Sequence, residues 1–158
     1  MVLKLIFLDF DGVLNSSNYF EEWVKQNEGR RGGLIDQLDP AMVERLNKIV
    51  EATKSLIVIS STWRILHTIG ELKEILTSFG FKYSDRIIAR TPQSFSGHRG
   101  REISIWLEED QSQLTDNFII LDDGSDMEPF MDHLIQTSWD KGMQDNHVEE
   151  AIRRLNGV

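Results

Sequence analysis

Residues 3–14 read Leu-Lys-Leu-Ile-Phe-Leu-Asp-Phe-Asp-Gly-Val-Leu, and this stretch decides the fold that the rest of the chain must build. Its first six residues form a nearly continuous apolar run, which is typical of a strand covered on both faces of a parallel sheet. Two aspartates, Asp9 and Asp11, follow at once. Carboxylates that close an apolar strand are costly without a partner. The stretch therefore predicts a buried strand that leads directly into a functional site.

Four further segments predict the remaining strands, at residues 56–60, 86–89, 118–121 and 133–137. Amphipathic helical patterns lie between them. Asp39-Pro40 supplies an N-cap and a first-turn proline for one helix, and Gly80 ends another. Further apolar stripes lie near residues 103–107 and 148–155. This alternation predicts a single domain over residues 1–158, with a three-layer, Rossmann-like α/β fold, a parallel sheet of about five strands and helices on both faces.

The segment from Asn15 to Leu38 does not fit this alternation. It carries three aromatic residues and then the glycine-rich run 28–33. Long connections in compact domains are often functional lids. We therefore expect residues 15–38 to form a lid-like loop and helix insertion after the first strand.

The composition restricts the chemistry. The chain has no cysteine, four histidines and 26 acidic residues, so any metal site uses mainly oxygen ligands, which favours Mg²⁺. The formal net charge of −9 argues against tight, non-specific binding to long nucleic acid, although a few arginines would suffice to recognise a phosphorylated end. No stretch approaches the length of a membrane span, and we expect a soluble cytoplasmic protein.

Polar residues follow the predicted strands at the edge of the sheet where parallel α/β proteins bind ligands. Clustered carboxylates repel one another unless a cation neutralises them, so this edge predicts a divalent metal. A metal with an arginine and a hydroxyl group is a set that binds a phosphoryl group. The strand-end residues are Asp9, Asp11, Ser60, Ser61, Asp122 and Asp123. Arg99 and Arg101 lie at the start of the helix between the third and fourth strands.

The order and spacing of these residues resemble the haloacid dehalogenase (HAD) superfamily of phosphohydrolases, in four motifs spread over most of the chain. Residues 8–14 are similar to its first motif, alternating aspartates followed by glycine. Residues 57–60, Ile-Val-Ile-Ser, are similar to the second, a strand that ends in a phosphate-binding hydroxyl residue. Arg99 or Arg101 matches the basic third motif, and Asp122-Asp123 matches the acidic fourth.

Finer details resemble one compact branch, the HAD domain of Swiss-army-knife RNA repair proteins. The matching runs are residues 60–64, Ser-Ser-Thr-Trp-Arg, and residues 99–103, Arg-Gly-Arg-Glu-Ile. In that branch the first arginine of the second run is the fixed one, which favours Arg99. The insertions that carry cap domains in larger members are short here, so the resemblance implies a HAD-like domain that is capless or minimally capped.

The resemblance also implies the roles of the residues. Asp9 is expected to be the nucleophile that forms an aspartyl-phosphate, and Asp11 the general acid–base. Ser60 and Arg99 are expected to bind the phosphoryl group. Asp9, the backbone carbonyl of Asp11 and one or both of Asp122 and Asp123 are expected to hold Mg²⁺.

Other residues near these motifs have less defined expectations. We expect substrate contacts at Gly12, Ser61, Arg64 and Arg101, with solvent exposure as the alternative for Arg64. Asp126 is expected to form hydrogen bonds just outside the metal ligands. Trp63, which lies near the site, is expected to pack at the core or its rim.

The expected activity is hydrolysis of a phosphomonoester, at the terminal phosphate of a nucleotide or polynucleotide. An open site accommodates bulky substrates and discriminates small metabolites poorly. A phosphatase of small metabolites or phosphoproteins is the alternative. The alternative of another class is a regulatory or binding module that keeps the metal site but turns over little.

Overall fold

The computed structural model describes residues 3–29, 37–109 and 117–158, and it contains one sheet of five parallel strands. The strand order is β3-β2-β1-β4-β5, and every strand pairs in parallel with its neighbours. The predicted α/β class and strand number are confirmed. The strands are β1 (Lys4–Leu8), β2 (Leu56–Ile59), β3 (Ile87–Arg90), β4 (Asn117–Asp122) and β5 (Leu134–Gln136).

The helices begin and end largely where the sequence signals place them. The Asp39 carboxylate accepts the N–H of Ala41 and caps the second helix at Pro40. Gly80 has a φ of +103°, the left-handed conformation that suits the residue after a helix. The α-helices are α1 (Ser17–Gln26), α2 (Pro40–Thr53), α3 (Trp63–Leu66), α4 (Ile69–Ser78), α5 (Arg99–Glu109) and α6 (Asp145–Asn156).

Alternate strand residues supply two hydrophobic cores, one on each face of the sheet. On β1, Ile6 and Leu8 enter the larger core, which α2, α4 and α6 cover. Leu5 and Phe7 enter the smaller core, which α5 covers through residues such as Trp106. The helices therefore lie on both faces, as the apolar strands predicted.

The chain runs outward from β1 through β2 to β3 and then returns to place β4 on the other side of β1. The reversal creates a crevice beyond the carboxyl ends of β1 and β4, where open α/β sheets bind their ligands. Asp9 and Asp122 lie at this position.

The first part of the expected insertion, residues 15–38, contains α1. Backbone N–H groups at its start, Ser17 and Asn18, donate to the carbonyls of Trp139 and Asp140, so α1 begins against the segment that follows β5. Residues 30–36 lie outside the described residues, and a lid role for the segment stays a prediction. No helix of the described ranges combines the length and the apolar character that a membrane crossing requires.

Candidate active site

The register of the sheet brings the polar strand ends together. Leu8 pairs with Leu121 on one side and with Ile59 on the other. The backbone N–H of Asp9 donates to the Leu121 carbonyl, and that of Ser60 donates to the Leu8 carbonyl. Asp9 thus lies between the ends of β4 and β2.

Three carboxylates meet at this point. Oxygen atoms of Asp9, Asp122 and Asp123 all lie within 4.8 Å of one another. Burial raises the pKa of Asp9 well above its ordinary value, and the Asp122 charge raises it further against the opposing effect of Arg99. The pKa of Asp123 is raised for the same two reasons, burial and Asp122. The folded chain therefore holds carboxylates together at an electrostatic cost that a cation would relieve.

Arg99 is the positive charge within this cluster. One guanidinium nitrogen, Nη1, lies 2.6 Å from Asp122 Oδ2 and 3.3 Å from Asp9 Oδ1. Burial lowers the pKa of Arg99, but Asp9 and Asp122 outweigh burial and hold it above its ordinary value. With all three carboxylates ionised, one guanidinium leaves two negative charges uncompensated, which matches a divalent cation.

The start of α5 determines where Arg99 lies. The Asp126 carboxylate accepts the backbone N–H of Arg99 at 3.1 Å, and its carbonyl accepts that of Gly100. A Cβ at Gly100 would lie 2.3 Å from the Glu128 carbonyl oxygen, so only glycine permits this approach. Asp126 therefore contacts the backbone beneath Arg99.

Gly12 is a second position that requires glycine. Its φ is +80°, and a Cβ there would lie 2.2 Å from Asp123 Oδ2. Its N–H donates to Asn15 Oδ1, and its carbonyl accepts the Thr137 hydroxyl at 2.6 Å. Gly12 thus lies against Asp123, and a substrate contact at this residue stays a prediction.

Ser60 carries a hydroxyl that the fold leaves without a partner. The residue is fully buried at the end of β2, and among the described residues its Oγ has no hydrogen bond. An unsatisfied buried hydroxyl costs roughly 1–3 kcal/mol. A phosphoryl oxygen bound beside Asp9 would be a suitable acceptor.

Asp11 does not join the carboxylate cluster formed by the described acidic residues. Its Oδ1 accepts a hydrogen bond from Asn15 Nδ2, and its Oδ2 accepts one from Trp63 Nε1, both at 3.0 Å. The packing expected of Trp63 is present, since the centroid of its ring lies 5.1 Å from that of Phe10. The sequence does not predict that Asn15 and Trp63 donate to the Asp11 carboxylate. The run 60–64 resembles the family's sequence, yet nothing in it indicates a bond from Trp63 to a residue 52 positions away.

The position of Arg64 corrects both expectations for this residue, contact with a substrate phosphate and exposure to solvent. Its side chain is 3% exposed and pairs with Glu102 at 2.9 Å. Its remaining N–H groups donate to backbone carbonyls of Ser60, Ser61, Thr91 and Pro92. The guanidinium is turned inward because Glu102, itself buried, needs a counter-charge there.

Two other expected substrate contacts lie outside the carboxylate cluster. Arg101 is exposed and lines a surface pocket with His98 and Glu128 rather than contacting the cluster. Of the two candidate arginines, Arg99 is the one in contact with Asp9. Ser61 is buried, and its Oγ accepts the N–H of Trp63 at 3.2 Å.

The chain matches a known protein family. The sequence profile described as "HAD domain in Swiss Army Knife RNA repair proteins" matches residues 5–148, from β1 into α6. Neither the curated proteins nor the solved structures include a significant match. The profile covers most of the chain, and the chain has the corresponding α/β fold with an acidic cluster in the crevice beyond β1 and β4. The protein therefore belongs to the family of HAD domains found in Swiss Army Knife RNA repair proteins.

Proposed function

We propose that the chain is a Mg²⁺-dependent phosphomonoester hydrolase that uses Asp9 as its nucleophile. The observation that carries the proposal is the surroundings of Asp9. This carboxylate lies against Asp122, Asp123 and Arg99. Ser60 follows the neighbouring strand, and its Oγ has no hydrogen-bond partner among the described residues. Family membership supports a hydrolase of the HAD type.

The residues present fit a hard divalent cation. Three carboxylates within 4.8 Å offer oxygen ligands, and Arg99 leaves two of their charges uncompensated. Asp9, Asp122 and Asp123 would hold Mg²⁺ together with the backbone carbonyl of Asp11. The bound ion would reduce the repulsion between the Asp9 carboxylate and the phosphoryl oxygens.

The reaction proceeds in two steps. In the first, an Asp9 oxygen attacks phosphorus, the bond from phosphorus to the leaving oxygen breaks, and Asp11 donates a proton to that oxygen. In the second, Asp11 removes a proton from water, which attacks the aspartyl-phosphate and breaks its bond to Asp9. The products are an alcohol and inorganic phosphate, and both carboxyl groups return to their starting states. Arg99 and Ser60 bind the phosphoryl oxygens throughout.

The substrate we propose is the terminal phosphate of a nucleotide or polynucleotide. The RNA repair proteins that give the family its description support this choice. The net charge of −9 opposes a tight hold on a long backbone, which favours recognition of the end.

The test is hydrolysis of para-nitrophenyl phosphate, with and without Mg²⁺, by the wild type and by Asp9→Asn. We expect Asp9→Asn to lose activity by at least about 10³-fold, because its amide is not a nucleophile. Mass spectrometry of acid-quenched wild type should detect one added phosphoryl group on the peptide that contains Asp9.

Asp85→Asn, the same change at an exposed aspartate outside the site, is the matched control and should hydrolyse para-nitrophenyl phosphate at the wild-type rate. Equal activity in Asp9→Asn would refute the nucleophile. No hydrolysis of any phosphomonoester by the wild type would favour the regulatory or binding module. A panel of oligonucleotides phosphorylated at either end, mononucleotides, sugar phosphates and phosphopeptides tests the substrate, and cleavage of sugar phosphates or phosphopeptides alone would refute a nucleotide end.

A further inference from the structure

We infer that Trp63 is a positioning residue, which orients Asp11 for proton transfer to the leaving group. The inference rests on the proposed function and adds to it a residue outside the nucleophile and its metal ligands. The observation behind it is the 3.0 Å hydrogen bond from the indole Nε1 to Asp11 Oδ2.

The two carboxylate oxygens of Asp11 have separate donors. Asn15 Nδ2 donates to Oδ1 and Trp63 Nε1 to Oδ2, so a rotation of the carboxylate would break both bonds. Each oxygen still has a second lone pair, which can carry the proton. The group is thus fixed in orientation without losing its capacity to transfer a proton.

Both donors are themselves held. Asn15 is fully buried, accepts the N–H of Gly12 and donates to the Gln37 carbonyl. The Trp63 ring packs edge-on against Phe10, the residue between the two aspartates of the motif. The position of Asp11 is therefore set from β2 and α3 as well as from its own loop.

A packing role would need only the Trp63 ring, whereas a positioning role needs its N–H. Trp63→Phe separates the two, because phenylalanine keeps an aromatic ring against Phe10 and removes the donor. The measurement is kcat/KM, which reports phosphoryl transfer to the enzyme, for para-nitrophenyl, phenyl and simple alkyl phosphates with Mg²⁺. Para-nitrophenolate leaves without a proton, whereas an alkoxide must be protonated as it leaves.

We expect Trp63→Phe to lower kcat/KM for the alkyl phosphate by about 10- to 100-fold, part of the ~10²–10⁴-fold that general acid–base catalysis contributes. For para-nitrophenyl phosphate the change should stay within about threefold, since protonation contributes little to that reaction. The ratio of kcat/KM between the two substrates does not depend on the fraction of enzyme that is folded. Partial unfolding therefore cannot produce the effect. Asp11→Asn should show the same dependence on the leaving group, more strongly.

Trp106→Phe is the matched control, since this indole packs on Phe7 in the core on the other face of the sheet. It should keep the wild-type ratio. An unchanged ratio in Trp63→Phe, or an equal loss on every substrate, would overturn the inference while leaving the proposed function standing. Activity in Asp9→Asn equal to that of the wild type would instead overturn the proposed function.

Discussion

The buried ion pair between Arg64 and Glu102 gives a stability prediction that is independent of any catalytic activity. The two side chains are 3% and 5% exposed and lie 2.9 Å apart. Replacing Glu102 with glutamine keeps the shape of the side chain but leaves the guanidinium without its counter-charge. Breaking a buried pair by removing one partner costs roughly 3–5 kcal/mol.

We expect Glu102→Gln at the lower end, about 3 kcal/mol, because the guanidinium keeps its hydrogen bonds to the surrounding backbone carbonyls. At roughly 2–4 °C per kcal/mol for a domain of this size, the unfolding midpoint should fall by about 6–12 °C. Urea unfolding followed by tryptophan fluorescence measures the free energy. Glu108→Gln, at an exposed position of the same helix, is the control and should change it by less than about 0.5 kcal/mol.

Arg64→Met provides the internal comparison. Besides the ion pair it removes hydrogen bonds to four backbone carbonyls, at Ser60, Ser61, Thr91 and Pro92. It should therefore destabilise the chain by at least ~1 kcal/mol more than Glu102→Gln does, since each buried acceptor left unpaired costs roughly 1–3 kcal/mol. Unfolding of Glu102→Gln at the wild-type urea concentration would show that the ion pair adds no stability. A smaller loss in Arg64→Met than in Glu102→Gln would show that the four backbone carbonyls do not need the guanidinium.

Three further predictions follow from the site. Gly12 has a φ of +80°, and the Cβ that Gly12→Ala adds would lie 2.2 Å from Asp123 Oδ2. The change should displace that carboxylate and weaken Mg²⁺ binding at least about tenfold in a calorimetric titration, and unchanged affinity would contradict the clash. Gly100→Ala should destabilise the chain by more than ~1 kcal/mol in urea unfolding. Gly70→Ala, whose Cβ meets nothing closer than 3.8 Å, should be neutral or stabilising. Equal effects of the two changes would show that the Glu128 carbonyl moves aside at little cost. Excess Mg²⁺ should stabilise the wild type by about 2.7 kcal/mol at 100-fold the dissociation constant, which a rise in the thermal midpoint would report. Asp123→Asn should be stabilised much less, and equal stabilisation of both would remove Asp123 from the metal ligands.

Much of the fold could be predicted because its signals are local. The apolar run before Asp9 indicates a buried parallel strand, and Asp39-Pro40 marks the start of a helix that the structure confirms. The meeting of Asp9 with Asp122 also follows from sequence, since the carboxyl ends of parallel strands share one edge of a sheet.

The direction of individual side chains could not be predicted, because it depends on partners distant in sequence. Arg64 could face solvent or protein, and its partner Glu102 lies 38 positions away. Arg99 and Arg101 lie on one helix but point in very different directions, and the choice between them depends on how the helix docks. Asp126 and the missing side chain of Gly100 determine that docking.

The short segment from Asp122 to Asp126 restricts where this domain can accept inserted residues. It carries two of the acidic groups and, through Asp126, the anchor of the helix that carries Arg99. Surface loops usually tolerate insertions well, but one extra residue here would shift the guanidinium relative to both carboxylates. We expect libraries of random insertions to tolerate new residues in the loop near Phe95, which is fully exposed, and to lose function at nearly every position of 122–126.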